Sequence, residues 1–102
     1  MTAYRYTIKV VIKSFRDAET KKVWDQEFSR KFQAIERIAS RKLYQINRAT
    51  VLQDLAAVPG NQLEGLKSDR KGQHCIRIND QYRVCYEWHG PDAHNVEIVD
   101  YH

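Results

Sequence analysis

The sequence predicts an α+β fold: an N-terminal strand and two or three helices packed on one face of a mainly antiparallel, four- to five-stranded sheet. Three observations lead there. A β-branched run lies near the start of the chain. Apolar residues then recur every three or four positions, the helical period. After Pro59-Gly60 the period changes to two, with turn residues spaced as in hairpins. A chain of 102 residues is the size of one domain, 1–102, with a modest core.

Ile8, Val10, Val11 and Ile12 favour a first strand over residues 8–15, with residues 1–7 as a loose lead-in. Asp17 is an N-cap for a short helix through Trp24. Ser29 to Asn47 carries the clearest helical pattern, because Phe32, Ile35, Ile38, Ala39, Leu43 and Ile46 form one apolar stripe. At ~100° per residue, Arg30, Arg37, Arg41 and Arg48 share a sector of about 40° roughly opposite that stripe. This face is either a solvated surface or a docking face for RNA phosphates or an acidic protein, with Arg37 and Arg41 as candidate RNA contacts. Thr50-x-x-Gln53 has the capping-box pattern, so a second short helix is expected from Val51, ended by Pro59-Gly60.

Leu63 and Leu66 flank a short strand leading into Lys67, and Ser68 to Gly72 is a charged turn. Gln73–Ile78 and Tyr82–Trp88 read as a hairpin around Asn79-Asp80-Gln81. His89-Gly90-Pro91-Asp92 is a second turn, and Val96–Tyr101 is the last strand. Alternation sends His74, Ile76 and Ile78 to one face and Cys75, Arg77 and Asn79 to the other.

Composition narrows the function classes. Hydrophobic residues make up 42% and aromatics 11%, a globular rather than a disordered balance. Lys and Arg outnumber Asp and Glu by 17 to 13, a net charge of +4 that permits a polyanionic partner without requiring one. No apolar run approaches the ~20 residues of a membrane helix. Arg5 and Lys9 interrupt the apolar residues of the N-terminus, so no signal-peptide pattern is present. The expected compartment is the cytoplasm, with no membrane partner. Cys75 and Cys85 are expected as buried or half-buried thiols, and would face one another if the loop between their strands held three residues. The cysteines and His74, His89, His94 and His102 show no CxxC or HxxxH spacing, so neither a metal site nor a cofactor is expected.

Asp100-Tyr101-His102 closes the sequence after the β-like run Asn95 to Val99 and offers three side chains suited to proton transfer or hydrogen bonding. The chain-terminal carboxylate on His102 would favour its imidazolium. Lys67 and Arg83 lie on or beside other predicted strands, so a base, an acid and two cations could converge on a phosphodiester. Strict alternation, however, turns Tyr101 away from Asp100 and His102. Arg70 and Arg77 are auxiliary candidates for phosphate contact. His74 reads as a packing or surface residue, and Tyr82, Tyr86 and Trp88 as core or partner-interface aromatics rather than base-stacking platforms.

Several segments carry a resemblance to a known family. They are Ile12-Lys13-Ser14-Phe15, Arg41-Lys42-Leu43, Pro59 through Glu64, Gly72 through Arg83, and Val96 through His102. From about Ile12 to His102 the chain resembles the HigB toxins of the RelE superfamily of type II toxin–antitoxin systems. Residues 1–10 then look like an N-terminal extension. The resemblance implies a RelE-like fold and a ribosome-dependent endoribonuclease (an mRNA interferase) that arrests growth. It implies a helix-turn-helix, HigA-like antitoxin, the ribosome and mRNA as partners, with operator DNA reached only through the antitoxin. The matching site positions are Lys67, Arg83, Asp100, Tyr101 and His102. This chain departs from some relatives in carrying Glu64 where they have a histidine; a carboxylate there can act as a base but repels phosphate. Two other functions fit the residues alone: a module that binds RNA or the ribosome without cutting, and an interaction domain that mainly holds an antitoxin.

Overall fold

The computed structural model describes residues 11–101. Helix α1 spans Ala18–Trp24 and is capped as expected: Asp17 is extended, and its carboxylate accepts the Thr20 amide at 3.0 Å. Helix α2 spans Glu36–Arg48, preceded by a 3₁₀ turn over Gln33–Ile35. Helix α3 is the single turn Gln53–Ala56. Strands β1 (Glu64–Gly65), β2 (Gln73–Arg77), β3 (Tyr82–His89) and β4 (Asp92–Asp100) form one antiparallel sheet in the order β1-β2-β3-β4. A second 3₁₀ turn, Ser68–Arg70, sits between β1 and β2. The α+β arrangement is the one the sequence predicts.

Several boundaries moved, each for a local reason. The long helix starts at Glu36 rather than Ser29. Ser29 Oγ accepts the Phe32 amide at 3.3 Å, closing a turn that competes with helix. Phe32 is buried and meets the Tyr82 ring edge-on, with centroids 6.0 Å apart. Arg30 therefore lies outside the helix, and the arginine sector retains Arg37, Arg41 and Arg48. Helix α3 starts two residues later than the capping-box reading. Asp54, not Gln53, reaches back to the amides of Thr50 (2.8 Å) and Val51 (3.2 Å), and these bonds hold its carboxyl below the usual carboxylate range. Strand β4 starts at Asp92, because Gly90 (φ 59°) and Pro91 close a tight turn that pairs His89 with Asp92.

The expected first strand is reduced to two isolated parallel bridges, Ile12 to Ala93 and Phe15 to Val96; residues 8–10 of that expectation lie outside the described residues. The bridges are three residues apart, so they cannot share one regular pleat. The irregularity lies in β4. Between the pairs Cys85–Glu97 and Glu87–His94, β4 spends one more residue than β3, and Asn95 takes φ 54°. Beyond the bridges, the outward Ile98 amide is taken by Thr20 Oγ1 of α1 at 2.9 Å, while that hydroxyl donates to Asp17 at 2.6 Å. Asn47 Oδ1 accepts the amides of both Val11 and Ile12, tying this segment to α2.

The core lies between the helices and one face of the sheet. Ala39, Leu43 and Ile46 of α2 pack with Ile76, Val84, Tyr86 and Ile98. The Tyr86 hydroxyl is buried there without a partner among the described residues, and burial pushes its pKa up. Asn61, fully buried, joins the layers. Its side chain accepts from Lys42 Nζ (2.6 Å) and donates to Gln45 Oε1 and the Leu55 carbonyl (both 3.0 Å), while its carbonyl accepts the Arg77 amide at 2.7 Å. Burial, with help from Arg41 and Arg77, lowers the pKa of Lys42. Asn61→Ala is expected to cost roughly 2–4 kcal/mol, because it strands several polar groups in or near the core. Urea unfolding at unchanged slope checks this; a loss under about 0.5 kcal/mol would show that the joint is dispensable.

Candidate functional site

The helices cover one face of the sheet and leave the other open. Register decides what the open face carries. Across it run Glu64, Cys75, Cys85 and Glu97 in one row, and Arg77, Arg83 and Val99 in the next. Cys75 and Cys85 are directly opposed, as a three-residue loop requires: Ile78 N donates to Tyr82 O at 3.0 Å, leaving Asn79, Asp80 and Gln81 between. The Asn79 side chain closes that loop by accepting the amides of Gln81 and Tyr82. Both thiols are free and buried.

Arg83 and Tyr101 meet on this face. The guanidinium lies over the Tyr101 ring, 4.7 Å from its centroid. Arg83 Nη1 is buried and has no hydrogen-bond partner among the described residues. The Tyr101 hydroxyl points to Glu64 Oε1 at 3.5 Å, a long contact, and Cys75 Sγ lies 3.9 Å from the same oxygen. Desolvation, reinforced by Cys75 and Glu64, raises the Tyr101 pKa. Four elements thus deliver Glu64, Cys75, Arg83 and Tyr101 to one spot.

The remaining candidates are distributed around it. Lys67 is exposed just after β1, extended, with Ser68 at φ 60° turning the chain behind it; its ammonium has no hydrogen-bond or ion-pair partner among the described residues. Arg70 sits on the open face but is engaged, donating to Gln73 Oε1 (3.0 Å) and Glu97 Oε1 (3.3 Å). Arg16 joins it at Glu97 (3.5 Å) and also reaches Glu87 (3.6 Å). Arg77 is paired with Asp80 at the hairpin tip. Asp100 is opposite Tyr82, whose neighbours in alternation face the core, and its carboxylate accepts from Gln81 Nε2 at 3.0 Å. The Asp100 carboxylate therefore does not share the Arg83–Tyr101 face, as alternation anticipated. His102 lies outside the described residues. Arg37 and Arg41 are exposed on α2, across the sheet from this face. His74 points with Ile76 and Tyr86, its ring against Gly65, which fits a packing role.

Glu64 and the thiol pair were missing from the sequence-based set of site residues. The available signal was register. Once β1 pairs Glu64 with Cys75, the carboxylate must share a face with Arg83; a two-residue strand announces that pairing too weakly to be read beforehand. Among the described residues, no group of three or more His, Cys, Asp or Glu side chains is placed to hold a metal ion, and no helix is long and apolar enough to cross a membrane.

Comparison with known proteins adds to this geometry. A family model described as the RelE-like toxin of type II toxin–antitoxin system HigB matches residues 13–102. A curated relative, "Toxin HigB-1" of Vibrio cholerae serotype O1, is 40% identical over 55 residues, which is 54% of this chain and 58% of the relative. The matched stretch thus spans a little over half of that protein's length.

The stacked pair can be tested by a double-mutant cycle with Arg83→Met and Tyr101→Leu. A coupling of about 0.5–1 kcal/mol in urea unfolding is expected for a partly exposed cation–π contact. A coupling indistinguishable from zero would mean that the two side chains do not meet in solution.

Proposed function

Because this chain belongs to the family of HigB-like toxins, RelE-like members of type II toxin–antitoxin systems, we propose that it is a ribosome-dependent endoribonuclease that cleaves translated mRNA by acid–base catalysis without a metal. The observation that carries this reading is the Arg83 guanidinium, stacked on Tyr101 with one buried amino group that has no partner among the described residues. A planar fork with donors to spare suits two oxygens of a phosphodiester. Tyr101, about two-fifths exposed, offers its ring to an unstacked base.

Cleavage needs the 2′-oxygen deprotonated, the 5′-oxygen protonated and the phosphorane charge stabilised. Arg83 and Lys67 are proposed for the charge. Glu64 and His102 are proposed as the proton-transfer pair, with Asp100 orienting His102. Attack by the 2′-oxygen on phosphorus expels the 5′-oxygen, so the products carry a 2′,3′-cyclic phosphate and a 5′-hydroxyl. Arg70 and Arg77 are proposed as secondary contacts to flanking phosphates, exchanging Glu97 and Asp80 for RNA. Arg37 and Arg41, on the opposite layer, are proposed to touch ribosomal RNA while the open face holds the message. The proposed partners are the ribosome, mRNA and a helix-turn-helix antitoxin that reaches operator DNA on the toxin's behalf; the proposed compartment is the cytoplasm.

One observation favours a second reading. Glu64 places a carboxylate in the middle of the basic patch, where it opposes phosphate. A toxin that occupies the message without cutting it would tolerate this better. Inducible expression with mapping of mRNA 5′ ends separates the two: discrete new ends inside translated messages support cleavage, and growth arrest over intact messages supports occupancy.

Under the cleavage reading, Arg83→Ala, Lys67→Ala and His102→Ala should each slow cleavage by roughly 10²–10⁴-fold without unfolding the domain, Arg83→Ala alone losing the about 0.5–1 kcal/mol of its contact with Tyr101. Wild-type toxicity in all three at matched expression would reject this site. RNA retention should fall with salt by roughly 0.7 log units per log unit of salt for each phosphate engaged on a single strand. A flat response would remove the electrostatic basis of the proposal.

A further inference from the structure

The backbone pattern around the two thiols fixes their relation. Leu66 N donates to Gln73 O, and Tyr101 N donates to Gln81 O. Counting in steps of two from these bonds, Cys75 exchanges its backbone bonds with Glu64 of β1, and Cys85 with Glu97 of β4. Cys75 and Cys85 therefore face each other as a non-hydrogen-bonded pair, in which Cα atoms approach to about 4.5 Å and side chains come closest. That spacing is inside the ~4.4–6.8 Å that disulfides span, so a bond between them needs little backbone movement.

We propose that Cys75 and Cys85 form a peroxide-sensitive pair whose closure into a cross-strand disulfide switches off the open face above it. Its effect on activity rests on the nuclease reading; the thiol chemistry does not. The two thiols are chemically distinct. Cys75 is held below the ordinary thiol range by its hydrogen bond with Cys85, aided by Arg83 and Arg70 against burial and Glu64. The same hydrogen bond, with burial, pushes Cys85 up. Either thiol can attack, since both are buried to the same degree and face each other. With Cys75 first, its thiolate attacks one oxygen of hydrogen peroxide, forming a sulfenic acid and releasing hydroxide as the O–O bond breaks. Cys85 sulfur then attacks that sulfur, the S–S bond forms, and the sulfenic oxygen leaves as water with the Cys85 proton. The net change is two thiols and one peroxide to one disulfide and two waters.

The consequence reaches the site through Glu64. In the reduced form Glu64 Oε1 faces both Cys75 Sγ and the Tyr101 hydroxyl. Oxidation draws the Cys75 sulfur toward Cys85 and away from Glu64. The carboxylate is then free to turn to Nη1 of Arg83, which has no partner among the described residues. A phosphate would have to displace an ion pair instead of meeting a guanidinium held by the Tyr101 ring.

The test treats reduced full-length protein with one equivalent of hydrogen peroxide, then alkylates in denaturant and maps peptides without reductant. Both thiols should disappear together into one linked peptide, without dimers. RNA retention should fall by about tenfold or more, equivalent to ~1.4 kcal/mol, and dithiothreitol should restore it. Cys85→Ala, or Cys85→Ser should the first fold poorly, should retain RNA equally before and after peroxide. Thiols that stay open to alkylation would overturn the proposal, as would a linked pair with undiminished RNA retention. Reduced protein that retains no RNA would refute the phosphate-binding role of the open face alone, since the peptide map still decides the disulfide.

Discussion

The buried amide of Asn61 is the contact on which the arrangement of the two layers depends. One side chain reaches Lys42 and Gln45 on α2 and a carbonyl at the end of α3. The same residue's carbonyl holds β2 through the Arg77 amide. A neutral amide suits this position because it supplies two donors and an acceptor without a charge to desolvate. The next residue, Gln62, takes φ 48°, so the chain leaves the joint sharply and delivers Leu63 and Glu64 to the sheet edge. The place of Glu64 on the open face is thus set by a hydrogen-bond cluster on the helical side.

The division of the sheet into a covered and an open face explains the distribution of charge. The covered face packs the apolar core, and on it the Tyr86 hydroxyl and His74 Nδ1 are buried and unpartnered among the described residues. The open face keeps its arginines in two groups. At one end Arg16 and Arg70 are neutralised by Glu87 and Glu97. At the other, Arg83 is held by a ring rather than a carboxylate. An aromatic face attracts a cation without supplying an acceptor, so hydrogen-bonding capacity is kept for something else. The small thiols between the two groups let the strands approach closely and leave the floor of the face shallow.

Much of this was readable beforehand, and the reasons differ by element. Strong periodicity exposed α2 and the β2–β3 hairpin, and the loop count correctly opposed the two cysteines. Alternation correctly separated Tyr101 from Asp100. Boundaries failed where one side chain outcompeted a propensity: Ser29 over helix, Asp54 over the Thr50–Gln53 pattern. The first strand failed for a distant reason, because its regularity depends on a partner strand that is itself irregular at Asn95. Glu64 reads in the sequence as a departure from a family pattern and not as a member of the site. Its neighbours are set by pairing between residues some ten to forty positions apart, which no local pattern encodes.

The brevity of β1 has a consequence for how the molecule behaves among copies of itself. A free sheet edge is a template on which another chain can add a strand, and its reach grows with the number of backbone groups it leaves unsatisfied. Here the edge strand is two residues long. Beyond it the β2 amide of Arg77 is already taken by Asn61. That side of the sheet therefore gives a neighbouring polypeptide almost nothing to zip onto, and self-assembly by strand addition is blocked there at the level of the backbone, whatever the side chains are.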